Sequence, residues 1–485
     1  MNFKLRPLFL SMLMTVFVSC GSWQEPAAVS ELEPVIFPDY SAVTVPCNIA
    51  PMNFMVEDAT YIQAVFHVGG AEACRVKGNE GVINIPKKKW KEILSSAAGT
   101  SVSVEVSVWD AEHPDGLRYR PFEINIAPEE MDPWIVYRLI EPGYVGWRQL
   151  GIYQREISSF DESAIVTNKE SNTTCLNCHN FPSYSSKSMM FHARGANGGT
   201  ILYNDGRLDK IDFNNTGPKK NATYPAWHPS GRFIAFSSNA THQLFYAEGR
   251  QPIEVFDSAS DMMLYDIHTG EVLMDMRFQT KEALESYPVW SPDGNYMYFV
   301  SADDVDLDEN FTPAAMYHLL RVPFDSQTRS FGEKIDTLYN ARKSGASASY
   351  PRVSPDGRYL LYTLSDYGTF PIWHDGADLG MMDLQTMEDV DISMWNDSES
   401  ADSYHSWSSN GRWVMYGTRR IDGRYTRVYL AHFSEDGTPD KPFLLPQEDP
   451  RHNMWRLMSY NVPEFIDGEV ALPEEAEELF YHEGK

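Results

Sequence analysis

The stretch Tyr224-Pro225-Ala226-Trp227-His228-Pro229-Ser230-Gly231-Arg232-Phe233-Ile234-Ala235-Phe236 returns as Tyr287-Pro288-Val289-Trp290-Ser291-Pro292-Asp293-Gly294-Asn295-Tyr296-Met297-Tyr298-Phe299. It returns again as Tyr350-Pro351-Arg352-Val353-Ser354-Pro355-Asp356-Gly357-Arg358-Tyr359-Leu360-Leu361-Tyr362, and in weaker form from Tyr404 through Trp407, Asn410 and Gly411 to Tyr416. The starts are 287 − 224 = 63, 350 − 287 = 63 and 404 − 350 = 54 residues apart. Each copy reads as a strand, a tight turn and a second strand. Proline presets φ at the first turn position, Asp caps the turn, and Gly takes the left-handed φ that closes it. The aromatics on either side supply core between neighbouring units. A self-similar period of this length means a repeat architecture, so the chain is all-β over most of its length.

The repeat resembles the Tyr-Pro-x-Trp-Ser-Pro-Asp-Gly blade motif of TolB-like β-propellers, which also occurs in tricorn-type and prolyl-oligopeptidase-type propellers. The resemblance covers about Met131 to Glu464 and implies a propeller over 131–465. At about 55 residues per blade it implies about six blades, with seven the alternative count. Such a motif specifies fold far better than function.

Working upstream, Trp134 to Ile140 and Gly151 to Ile157 read as two strands of a further blade. They are followed by a polar segment, about 165–195, expected as a loop inserted between strands, because functional groups are often grafted there. It contains Cys175-Leu176-Asn177-Cys178-His179, the C-x-x-C-H of covalent haem attachment. Two thiols on one short helical turn would each join one haem vinyl group, and His179 would be the proximal iron ligand. One covalent haem c is therefore the expected cofactor. For the distal position the nearby candidates are His192, Met189 and Met190, and Arg194 is placed to pair with a haem propionate. Zinc would need two further ligands, and Ala196 and Asn197 stand where a partner for His192 belongs. A thioredoxin-like dithiol would need a strand-to-helix context that this Asn-, Ser- and Thr-rich segment lacks. A structural disulfide is the remaining alternative.

The region 35–130 carries short alternating runs, among them Tyr61–Phe66, Ser101–Val108 and Phe122–Ile126, interrupted by one helical stretch from Lys87 to Ser96. It reads as an immunoglobulin- or fibronectin-like β-sandwich, either a spacer or docking module or a unit packed on its neighbour.

At the N-terminus, Lys4 and Arg6 precede an apolar run from Pro7 to Val18 that ends at Ser19-Cys20-Gly21. This reads as a signal peptide over 1–19 with a lipobox-like end, although Phe17 replaces the usual Leu. Cys20 is the candidate lipidation site, and 20–34 the tether that follows. Of the five cysteines, that leaves Cys47 and Cys74, read as one disulfide in an oxidising periplasm or as two small buried side chains. The expected location is the periplasm or cell envelope, anchored by lipid, with the outer membrane preferred.

With 40 basic against 68 acidic residues, the formal charge of −28 argues against nucleic-acid binding. Partners should be proteins of the envelope, and oligomeric state is open. The acidic run Asp303, Asp304, Asp306, Asp308 and Glu309 lacks the Gly and Glu of a calcium loop and reads as solvated. His228, His268, His318, His374, His405 and His452 are scattered over the blades, where a second metal is the alternative to structural roles. No G-x-S-x-G follows a strand, and too little chain follows the repeats for a hydrolase domain, so a serine peptidase is excluded. The acidic tail 466–485 contains Pro473 to Leu479, which reads as a short helix.

The whole arrangement resembles exported TolB-like lipoproteins of Bacteroidetes-type bacteria that carry a c-type haem motif. Haem implies electron transfer or haem-linked sensing, and a propeller implies a binding platform. The competing functions are a non-redox interaction scaffold and a redox enzyme with an open haem site.

Overall fold

The computed structural model describes residues 23–141, 149–169, 175–194, 198–213, 222–246, 251, 253–303, 315–473, 476 and 478–481. The expected signal peptide, Cys20 and most of the acidic run after Asp303 lie outside the described residues. Of the expected C-terminal helix, the described part is a single turn at Glu478–Tyr481. No helix among the described residues is long and apolar enough to cross a membrane.

Six antiparallel sheets form the blades of a β-propeller. Their innermost strands are Ser459–Ile466, Leu176–Asn180, Thr223–Trp227, Ala283–Trp290, Ser347–Val353 and Asp402–Trp407. The ring closes between the two ends of the repeat region. Ser459–Ile466 adds as the inner strand to Trp134–Ile140, with Trp134 opposite Ile466 and Ile140 opposite Ser459. Closure of this kind ties the two ends of the repeat region into one blade, and the inner strand edges that remain are short and face the channel.

The turn chemistry follows the repeat. In the fourth blade Gly294 donates its N–H to Ser291 O at 2.9 Å with φ 72°, while Ser291 Oγ accepts from Tyr296 N at 3.0 Å. Gly357 and Gly411 repeat that geometry with φ 75° and 67°. Between the blades, Trp290 donates its indole N–H to Ala226 O, and Trp407 donates to Arg352 O. Trp290 and Trp407 thus stitch their blades to the preceding ones, whereas the indole N–H of Trp227 is buried without such a bond.

The N-terminal unit has a seven-stranded sheet, a two-stranded ribbon (Phe54–Met55 with Val82–Ile83) and an α-helix at Lys87–Ala97. The helix falls where expected because Trp90, Ile93, Leu94 and Ala97 recur on one face and are buried. The strand Ala71–Asn79 was not expected: only Cys74 along it is buried, so its sequence lacks alternating apolar residues.

Two expectations are corrected here. Cys47 and Cys74 are free, not a disulfide. Cys47 follows the strand Thr44–Pro46, and Cys74 lies on a strand four pairings away through the sheet, each step about 4.8 Å. Cys47 Sγ donates instead to Pro128 O at 3.4 Å. The segment 23–34 is also not a free tether. Ala28–Val29 pairs in parallel with Leu117–Arg118, Gln24 exchanges hydrogen bonds with Gln63, and Trp23 stacks under Arg75.

One hydrophobic core unites this unit with the propeller. Val45, Ile49, Trp90 and Ile124 pack in the same cluster as Ile135 and Tyr137 of the first blade and Trp413, Met415 and Leu430 of the sixth. Arg155, fully buried, donates to Pro446 O at 2.7 Å, and Asn53 donates to Glu448 O at 2.9 Å. The unit therefore covers the seam where the ring closes.

Candidate functional site

Each innermost strand carries a bulge at one equivalent place, where the register with the second strand slips. The residue at the bulge has left-handed φ in all six blades: Cys178 53°, Tyr224 48°, Tyr287 52°, Tyr350 52°, Tyr404 50° and Val462 49°. Non-glycine residues rarely adopt this region, and six at one level mark a conformation imposed by the ring. The tyrosines contact one another in turn round the channel, the first pair stacked and the next two edge to face. Tyr224 stacks on Tyr287 with centroids 4.0 Å apart, Tyr287 meets Tyr350 at 5.6 Å, and Tyr350 meets Tyr404 at 5.2 Å.

The C-x-x-C-H therefore does not lie on an inserted loop or a helical turn. Leu176–Asn180 is the innermost strand of the second blade, paired with Ser188–Ala193, and 165–195 supplies blade strands. Cys178 and His179 stand where the third, fourth and fifth blades have Tyr-Pro. The ring's demand for a strand overrides the local polar composition that reads as loop.

The bulge ring borders a chamber of about 200 Å³ at one end of the channel. Cys175, Cys178, His179 and Arg194 all line it, together with Arg138, Arg352, Arg419 and the four tyrosines. One wall is the long hairpin Phe233–Phe245 and Ile253–Asp266, through Thr241, Gln243, Phe245 and Val255.

His179 is 2% exposed, and the polar contacts of its ring are weak, one of them to the Val462 backbone. Its Nε2 lies 3.8 Å from Glu464 Oε2. Burial pushes the imidazole down to about 3, with Arg138 and Arg352 adding to the effect, and burial pushes the Glu464 carboxyl up to about 7. Burial likewise raises the Cys178 thiol, while Arg194 and Arg138 pull it back.

The expected distal ligands are not brought to this chamber. Met189 packs in the core between the first and second blades, and Met190 in the core between the second and third. They lie on the second strand, whose successive side chains point to opposite blade faces. His192 is buried opposite Asn177, with Nδ1 3.2 Å from Thr200 Oγ1, and burial pushes it down to about 4. Of the residues proposed from sequence, Cys175, Cys178, His179 and Arg194 converge. Arg138, Arg352 and Arg419 went unrecognised: they are distant in sequence, and nothing local distinguishes them from surface arginines.

Five of the six scattered histidines have side-chain partners. His228 Nε2 lies 3.0 Å from Gly294 O, His405 Nε2 lies 3.1 Å from Leu361 O, and His374 Nε2 lies 3.4 Å from Glu254 Oε1. Among the described residues no three His, Cys, Asp or Glu cluster to hold a metal ion.

The donor set suits a haem in its composition. Two thiols, a buried imidazole and several guanidiniums share one partly open chamber. Leu176–Asn180 is extended, with its left-handed step at Cys178 re-aiming the chain between the two thiols.

No family model matches the chain, and no curated protein matches it. Solved structures similar to it include a puromycin hydrolase, at 12% identity and TM-score 0.33, covering 55% of this chain and 38% of that one. The tricorn protease is similar over 83% of this chain and 43% of its own, at 11% identity and TM-score 0.31. The β-propeller domain of Myceliophteria thermophila Cps50 (Swd1) is similar over 57% of this chain and 89% of its own, at 12% identity and TM-score 0.29. The chain spans about two fifths of the length of the puromycin hydrolase. Blade number and ring closure stand on the sheet pairings themselves.

Proposed function

We propose that this chain is an exported c-type haem protein whose propeller channel carries one haem, joined through Cys175 and Cys178, with His179 as the proximal ligand. One observation supports the reading above the others: both thiols of the C-x-x-C-H and the buried imidazole of His179 line the same chamber. When bound, haem supplies a one-electron couple or an open coordination position. The chain's own residues bind and orient it. Arg194 pairs with a propionate, and the four bulge tyrosines line the chamber around it. The propeller face then serves as a platform for an envelope protein partner, with lipid on Cys20 holding the protein at a membrane.

Haem staining after denaturing electrophoresis tests this. The protein should be produced in a periplasm with working haem-attachment machinery. A covalent haem band that disappears in the Cys175→Ser/Cys178→Ser variant is expected. An unstained wild-type band removes the cytochrome reading and leaves the propeller as an interaction scaffold.

A further inference from the structure

The chamber is strongly positive inside a strongly acidic protein. Arg138, Arg194, Arg352 and Arg419 line it, against one lining carboxylate, Glu141, among the described residues, while the whole chain carries −28. Three of these guanidiniums, those of Arg138, Arg194 and Arg419, make no ion pair among the described residues, and of the three Arg194 is exposed. Arg419 is 4% exposed, stacks on Trp373 with its guanidinium carbon 3.4 Å from the ring centroid, and leaves Nε without a hydrogen bond. Arg138 makes one long hydrogen bond, to Leu176 O at 3.4 Å, and its Nε is likewise unpartnered. Arg352, by contrast, is held by the Tyr350 hydroxyl at 2.9 Å and Glu464 at 3.5 Å. A buried cation without a counter-charge is costly, and guanidinium is the group best shaped to take a planar or tetrahedral oxyanion.

We propose that the chamber binds a small oxyanion, a carboxylate- or sulfate-like ligand, between the guanidiniums of Arg138 and Arg419 beside Tyr404. The inference rests on the haem reading only in naming the anion's neighbour. A haem's pair of propionates would occupy two of the four guanidiniums, leaving positive charge next to the iron for an anionic ligand or substrate. Phe370, Trp373 and Tyr404 give that side an aromatic lining, whose low local dielectric strengthens each ionic hydrogen bond.

Calorimetric titration of the full-length protein with sulfate, acetate and the neutral acetamide tests it. Saturable one-to-one binding of both anions is expected, with no binding of acetamide. Arg138→Gln and Arg419→Gln should each weaken binding about tenfold or more, and Arg419→Lys should weaken it less. Absence of saturable binding, or binding untouched by both Gln variants, overturns the proposal. Should those variants misfold, phenylglyoxal modification of Arg138 and Arg419 in the wild type, read by peptide mass, replaces them. Protection by sulfate supports the site, and equal modification with and without sulfate overturns it. Haem staining of the same samples separates the two readings: binding by unstained protein sustains the anion site alone, and stained protein without binding removes it alone. Binding seen in the Cys175→Ser/Cys178→Ser variant but absent from haem-loaded protein gives the arginines to the propionates and overturns the proposal.

Discussion

Cys178 occupies on the second blade the position that Tyr224 occupies on the third, each at a strand bulge and each with left-handed φ, 53° and 48°. The haem-type motif is thus written into a structural repeat, and a ring position that carries tyrosine in four of the other blades carries a thiol. Because the backbone there is set by the bulge and not by the side chain, Cys178→Ser should fold with stability within about 1 kcal/mol of wild type. If haem is attached, the variant should retain it through a single thioether with a red-shifted reduced spectrum. Urea titration and the pyridine haemochrome spectrum check the two statements separately.

The N-terminal unit and the propeller should melt together. Trp413 is fully buried in the core they share. Trp413→Ala should cost about 3–5 kcal/mol and destabilise both parts at once. Scanning calorimetry that resolves two transitions in the wild type would contradict a shared core.

Two glycines of the repeat should respond differently to alanine. Both have left-handed φ, 72° at Gly294 and 75° at Gly357. A Cβ on Gly357 meets only Pro292 Cδ at 4.0 Å, whereas one on Gly294 would lie 2.4 Å from His228 Nε2. Gly357→Ala should cost about 1–2 kcal/mol, the conformational term alone. Gly294→Ala should cost more, by about 1–3 kcal/mol of overpacking. Equal losses by denaturant titration would count against the interblade contact of His228.

His405 should make the protein acid-labile. It is fully buried, and burial, with Arg352 adding, pushes its imidazole from 6.5 down to about 3. The unfolded chain therefore binds a proton in this window that the folded chain refuses. The stability this histidine contributes is complete above pH 6.5 and is lost as pH falls towards 3, at up to about 1.4 kcal/mol per pH unit. His405→Asn should flatten the pH dependence by that slope between pH 6 and 4, measured by urea titration at a series of pH values.

Reductant should not affect stability. Cys47 and Cys74 are unbonded, so the melting temperature should be the same with and without a thiol reductant, and both residues should react with a maleimide after denaturation. A bridge between them would have contributed roughly 2–5 kcal/mol and shifted the transition.

The repeat was legible in the sequence because each copy carries its own local instructions. Tyr-Pro, the Ser-Pro-Asp-Gly turn and the flanking aromatics act within a dozen residues, so blade hairpins, their turns and the helix at Lys87–Ala97 follow from spacing and turn chemistry. The C-x-x-C-H was legible for the same reason, as residue types at fixed spacing. Its setting was not. Only the closed ring makes Leu176–Asn180 an inner strand, since six bulges must meet at one level whatever the local composition prefers. Only the ring brings Arg138, Arg194, Arg352 and Arg419, separated by as much as 419 − 138 = 281 residues, around the thiols. Sequence alone determined the hairpins and the chemical identity of the motif, because those depend on neighbours along the chain. Tertiary structure decided which side chains share the chamber, because that depends on closure between strands at opposite ends of the repeat region.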